Sequence, residues 1–383
     1  MRIVVDKDIF RAEEYFGRLG EVIKTDGRQL TPALVRHADV LIVRSITRID
    51  ANLLRGSAVR FVGSATSGID HIDMDYLRDH GIGFGCAAGS NARAVAEYVL
   101  SSMLVLMEQR DFDLHGKTAL IIGCGHVGSM VRDFLQTLGL RCLVNDPPLR
   151  DAVTGLHTSE LKAIGEADII SLHVPLTKGG QYPTWHLIDA GLLDQLQPDS
   201  VLINTARGGV VDETGALAFL KRKPRAGMVL DVWQNEPDID VGLLSQVAIG
   251  TAHIAGHSLD AKWRAVDIVY QQLCTYLQQP VPAAGMDSLG SLPPIEITIA
   301  AGVTDLDAIQ MSVLTSYDVR TDSSALRQMI GMQPSQRASY FDELRSQYRG
   351  RREFGSVRVA LPVSRSELSV KLQRLGFQTK WQT

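Results

Sequence analysis

Cysteine is scarce in this chain, with 4 among 383 residues. Cys86, Cys124, Cys142 and Cys274 lie far apart, with no CxxC pair to offer a zinc site and no framework for disulfides. The reading is of free thiols in a reducing compartment and of no bound metal. A surplus of one charge is also missing. Lysine plus arginine number 39 against 43 aspartates and glutamates, for a net charge of -4. That balance leaves no electrostatic footprint for nucleic acid or an anionic membrane. Long apolar runs are absent as well. The greasiest stretch, Val95 to Met107, is broken by Glu97 and falls short of the ~20 residues that a bilayer span needs. The opening MRIVVDKDIF carries charges inside its apolar run and does not read as a secretion signal. No internal repeat or low-complexity segment is visible. The expectation is a soluble, cytoplasmic protein.

What is present is ample core material. Hydrophobic residues make up 45% of the chain, and its length suggests two or three domains. Short apolar runs of buried-strand type alternate with helical periodicity: Ile3 to Val5, Val40 to Val43 and Phe61 to Gly63, with a helical stretch at Ile9 to Leu19. Asn91 is placed to cap a long helix. A second alternating region has strands at Ala119 to Ile122, Arg141 to Asn145, Ile169 to His173, Val201 to Asn204 and Met228 to Val232, and a last short run at Val247 to Ile249. A helix is expected over Leu259 to Leu277, closed by Gln279-Pro280-Val281-Pro282. The tail beyond about residue 283 reads as a separate α/β piece. This alternation predicts parallel sheets covered by helices.

Gly123-Cys124-Gly125-His126-Val127-Gly128 follows one strand and opens a helix. In that setting the first glycine makes a tight turn and the second admits a pyrophosphate. The third lets helix and strand pack closely, and the helix N-terminus favours the negative charge. Asp146, at the end of the next strand, is placed to accept hydrogen bonds from ribose hydroxyls, which favours NAD over NADP. Three more residues stand at or just beyond strand ends: Arg207, Glu236 and His253. Together they suit oxidation of a 2-hydroxy acid. The guanidinium fork holds the carboxylate, the imidazole takes the hydroxyl proton, and the glutamate orients the imidazole.

With these motifs on the page, the chain resembles the D-2-hydroxyacid dehydrogenase family. The stretch Ser171 to Leu176, the run Asn204-Thr205-Ala206-Arg207-Gly208, the Glu236-Pro237 pair and His253-Ile254-Ala255-Gly256 carry the likeness. Further stretches, Leu41 to Ser45, Phe61 to Thr66, Gly68 to His71 and Asn91 to Arg93, narrow it to a branch acting on a phosphorylated hydroxy acid. The resemblance implies a Rossmann domain (94–256) inserted in a flavodoxin-like substrate domain (1–93 plus 257–282), followed by a C-terminal α/β dimerisation domain (283–383) and a homodimer. It implies catalysis by Arg207, Glu236 and His253, and NAD lined by Gly123, Gly125, His126, Val127, Gly128, Asp146, Val174, Thr205, Ala206, Arg207, Asp231 and Gly256. Ser45 and Thr66 would contact substrate, as would His257. Two positions depart from the family: Ala252 stands where proline is usual, and His257 where tyrosine is usual. For a substrate phosphate, Arg44 is the first candidate and the cluster Arg349, Arg351, Arg352 the second, unless that cluster is simply a solvated charged loop. Other acids, such as phosphoglycerate, and a non-catalytic NAD-sensing scaffold remain alternative readings.

Overall fold

Strands covered on both faces read as unbroken apolar runs, and such runs build both large sheets. In the computed structural model the described residues are 1–110, 114–153, 158–281, 293–348 and 350–382. They form two units by packing. One comprises Met1–Asn91 and Ser258–Pro293, the other Ala92–His257 and Pro294–Thr383.

The first unit holds β1 (Arg2–Asp6), β2 (Glu21–Thr25), β3 (Val40–Val43), β4 (Phe61–Ser64) and β5 (Gly83–Cys86). They pair in the order β2-β1-β3-β4-β5, all parallel. This is the flavodoxin-like order, with its switch point between β1 and β3. On one face Ile3, Val5, Val40, Ile42 and Phe61 pack against Trp263, Val266, Val269 and Tyr270 of the helix Leu259–Tyr276. On the other, Val4, Leu41 and Val62 meet Val35, Leu53 and Leu77.

The second unit contains β6 (Thr118–Ile122), β7 (Arg141–Asn145), β8 (Ile169–Leu172), β9 (Val201–Asn204), β10 (Gly227–Leu230) and β11 (Ile249–Gly250). Their order is β11-β10-β9-β8-β6-β7, again all parallel. The order reverses at β6 and β8, where a doubly wound sheet opens its ligand crevice at the strands' carboxyl ends.

The tail has its own parallel sheet, β12 (Ile295–Thr298), β13 (Val357–Leu361) and β14 (Gln378–Trp381), in the order β12-β13-β14. Its core is nevertheless shared with the inserted domain. Val95, Val99 and Met103 of the helix Ala92–Arg110 lie in one cluster with Ile309, Val313, Leu368 and Leu372. Each such buried side chain contributes roughly 1.5–3 kcal/mol. Residues 94–106 of this helix are buried on every side, as befits the central helix of its unit. Among the described residues no helix is long and apolar enough to cross a membrane, and no cluster of side chains could hold a metal ion.

Candidate active site

The catalytic candidates of the second unit lie on loops leaving the carboxyl ends of β9, β10 and β11. After β9, Asn204 ties its own turn. Its Oδ1 accepts from the Ala206 N–H at 3.0 Å and its Nδ2 donates to the Arg207 carbonyl at 2.9 Å. Arg207 is extended, at φ -148° and ψ 144°. Gly208 follows with its Cα pressed on the backbone of Trp233 and Gln234, where any Cβ would collide with the Trp233 carbonyl. That close approach sets the Arg207 turn beside the loop carrying Glu236. Asn204 and Gly208 were both in the motif read above without a role; the signal for Asn204 was an asparagine three residues before the arginine.

Glu236 is anchored from both sides. Its Oε1 accepts from the Trp233 N–H at 2.9 Å, and its Oε2 meets His253 Nδ1 at 2.7 Å. Burial alone would raise this carboxyl, but the charge and hydrogen bond of His253 and the Trp233 N–H outweigh it and hold Glu236 below its ordinary range. An ionised carboxylate only accepts, so His253 Nδ1 carries a proton, and in the neutral ring Nε2 holds the lone pair. The His253 side chain remains 33% exposed. Its backbone lies in the left-handed region, at φ 56°, which costs a non-glycine residue about 1–3 kcal/mol.

Asp231 counters that cost. Expected above to line the cofactor, it is 1% exposed, and its carboxylate braces the histidine loop. Oδ1 accepts from Thr251 Oγ1 at 2.6 Å and the Ile254 N–H at 2.8 Å, and Oδ2 from the Ala255 N–H at 2.9 Å. Thr251 in turn meets the hydroxyl of Tyr98 at 2.7 Å. Partners so distant in sequence left no local signal. Glu213 lies nearby, accepting from the Gln234 N–H at 2.6 Å. Burial pushes its carboxyl up to about 7.

The glycine loop fits a dinucleotide. Gly123, at φ 85°, turns against His173 and Val174, and Gly128 packs its Cα on the Gly123 carbonyl. Gly125 has open space where a Cβ would stand. Gly125 and His126 are exposed, Val127 is half-buried, and no side chain caps the helix His126–Thr137. Asp146 caps the short helix Pro147–Ala152 through the Leu149 N–H at 2.9 Å and accepts from the Cys124 N–H at 2.7 Å. Pro147 and Pro148 take the first positions of that helix, where a missing N–H is harmless. Each Asp146 oxygen keeps a lone pair for a ribose hydroxyl. Beside the loop, Thr205 Oγ1 stands 3.5 Å from Nδ1 of His173, which desolvation pushes down to about 3 and so keeps neutral. Val174, Thr205 and Gly256 are half-buried, while Ala206 is buried.

In the first unit, Arg44, Ser45 and Thr66 all lie just beyond the carboxyl ends of β3 and β4. Ser45 is exposed. Thr66 Oγ1 donates to the Gly68 carbonyl at 3.0 Å and meets Ser64 Oγ at 2.8 Å, which also touches His71 Nε2 at 3.1 Å. Arg44 is bound to two carboxylates, Nε to Asp6 at 3.0 Å and Nη2 to Asp8 at 2.6 Å, which offsets much of its charge toward a phosphate. For the second phosphate candidate, the structure describes two of the three arginines. Arg349 lies outside the described residues, and Arg351 is no solvated loop residue, its side chain being 7% exposed. His257 stands edge-on to Tyr348, 5.8 Å between centroids.

Residues 95–255 match the NAD binding domain of the D-isomer specific 2-hydroxyacid dehydrogenases, and residues 291–376 match a domain of unknown function, DUF3410. The chain is 44% identical to an erythronate-4-phosphate dehydrogenase of Chromohalobacter salexigens over 99% of both chains. The chain belongs to the erythronate-4-phosphate dehydrogenase family. Another member, from Cronobacter sakazakii, is 43% identical over 98% of each chain. A solved structure of NAD+-bound 3-phosphoglycerate dehydrogenase from Entamoeba histolytica shares the fold, with TM-score 0.62 and 24% identity over 74% of this chain and 97% of that one. Likeness to the erythronate-4-phosphate dehydrogenases thus extends through the tail, where likeness to the wider group of dehydrogenases leaves part of the chain unmatched.

Proposed function

We propose that this protein oxidises 4-phospho-D-erythronate at carbon 2, yielding 2-oxo-3-hydroxy-4-phosphobutanoate, a step in vitamin B6 biosynthesis. The observation that carries the mechanism is the 2.7 Å contact between Glu236 Oε2 and His253 Nδ1. It puts a proton on Nδ1 and leaves Nε2 of the neutral ring as the base. Nε2 takes the proton of the substrate hydroxyl, and Glu236 stabilises the imidazolium that results. Arg207 holds the substrate carboxylate and polarises carbon 2. Ser45 and Thr66 contact the substrate, and His257 does so in place of the family's tyrosine. NAD, when bound, supplies the acceptor for the hydride. The Gly123–Gly128 loop holds its pyrophosphate at the start of the helix His126–Thr137, Asp146 its ribose, and Val174, Thr205, Ala206, Asp231 and Gly256 line the remainder.

The tail is the natural surface for a homodimer, as in the resemblance. Supporting this, Ile295, Met311, Val363, Val370 and Trp381 are all exposed there. Four free cysteines accord with a cytoplasmic location.

The test is NADH formation by the purified protein with 4-phospho-D-erythronate, beside 3-phospho-D-glycerate and D-glycerate. Turnover with phosphoerythronate alone is expected. Turnover only with another acid would keep the chemistry and discard the substrate. Bound NAD without turnover on any acid would leave a sensing scaffold.

A further inference from the structure

Arg351 belongs to the tail, yet its side chain ends inside the inserted domain. Nη2 donates to two carbonyls, Ala94 at 2.6 Å and Ala255 at 3.1 Å. Nη1 is 3.7 Å from Glu97 Oε2, and the guanidinium lies 4.0 Å over the ring of Tyr317. The other Glu97 oxygen accepts from the Phe354 N–H at 2.8 Å. A buried cation needs acceptors: Nη2 has two carbonyls, whereas Nε and Nη1 have no hydrogen-bond partner among the described residues and the facing Glu97 carboxyl is pushed well above its ordinary range by burial.

Ala255 lies two residues beyond His253. Its N–H is bound by Asp231 and its carbonyl by Arg351, so both peptide groups flanking it are held. A planar trans peptide that fixes the Ala255 carbonyl also fixes the direction of the Gly256 N–H. Ala94 and Ala255 each stand a few residues from a crossing between units, at Asn91/Ala92 and His257/Ser258. One guanidinium therefore ties together the segments where the chain enters and leaves this unit.

We propose that Arg351 is a positioning residue for the reaction: it holds the His253–His257 segment in its working path, so that the tail completes the active loop. The proposal rests on His253 as proton acceptor. Asp231 grips this segment through the Ile254 and Ala255 N–H groups, and the His257 N–H closes the turn on the Ile254 carbonyl, but the Ala255 carbonyl is held by Arg351 and can swing once that is gone.

Removing Arg351 alone would strand Glu97, so the primary variant is the double substitution Glu97→Gln with Arg351→Met. The second is Arg351→Lys, which keeps the charge but cannot span two carbonyls as the fork does. Arg358→Met, at an exposed tail arginine paired with Glu296, is the control and should retain parent activity. The double variant should unfold near the parent temperature and bind NADH, while kcat falls about a hundredfold with little change in KM for the hydroxy acid, the scale of a small misplacement of a reacting group. Arg351→Lys should lose about tenfold. Parent kcat in a folded double variant would overturn the proposal and leave Arg351 a stabilising residue only. If the double variant does not fold, parent kcat in Arg351→Lys overturns it equally. His253→Ala runs alongside: activity there would sink the proton-acceptor reading, whereas inactive His253→Ala beside fully active Arg351 variants sinks only this one.

Discussion

His253 combines a partly exposed imidazole with a backbone conformation that its own side chain disfavours. Replacing it by alanine should leave NADH binding intact, as read by nucleotide fluorescence, and lower kcat by about 10²–10⁴-fold, the usual worth of a positioned base. Asp146→Ala should narrow the preference for NAD over NADP, because the carboxylate that repels a 2′-phosphate is gone; unchanged kcat/KM ratios for the two cofactors would place the ribose elsewhere. Glu213 offers a pH test. Its folded carboxyl sits near 7 through burial, above the ordinary range, so the folded state holds a proton that the unfolded chain releases first. The linked stability is then present at low pH and is lost as pH rises toward 7. Glu213→Gln keeps an acceptor for the Gln234 N–H and carries no charge. It should raise Tm at pH 8 relative to the parent, by on the order of 2 kcal/mol in stability, and flatten the profile between pH 5 and 8. A parallel loss of stability in parent and variant across that window would rule the group out.

At the scale of elements, the loops at the strand ends depend on backbone contact. Gly208→Ala should displace the Arg207 turn from Trp233, lowering Tm by the equivalent of about 1–3 kcal/mol and turnover with it; thermal melts and kcat measured together would separate the two effects. The elements also show what was legible beforehand. The central strands were readable because β1, β3, β6, β8, β9 and β10 are buried on both faces and hence unbroken apolar runs. The edges were not. Strand β2 (EVIKT) and strand β14 (QTKW) are half exposed and carry charge. Strand β5 (GFGC) is glycine-rich because Tyr276 and Gln272 of the covering helix lie where side chains at Gly83 and Gly85 would stand, and glycine weakens any strand signal. The motif residues at the site were legible by type and spacing, but their supports were not. Asp231 and Arg351 act on backbone groups whose positions only the folded chain determines, so a buried clamp resembled a run of surface arginines.

For the whole molecule, the shared core has a direct consequence. Deleting residues 294–383 would uncover Val95, Val99 and Met103, so the shortened protein should aggregate or lose cooperative melting rather than survive as a smaller dehydrogenase. A soluble, cooperatively folding truncation would show the tail to be dispensable. The exposed tail side chains predict a dimer in sedimentation equilibrium, and Val370→Glu with Trp381→Glu should shift it toward monomer if that surface is the interface. The division of the chain also bears on the order of its birth. The first sheet's apolar face is covered by the helix Leu259–Tyr276, which leaves the ribosome only after the entire inserted domain. Until then Phe16, Ile42 and Phe61 have no lid, and the nascent amino-terminal segment is the part most in need of a chaperone.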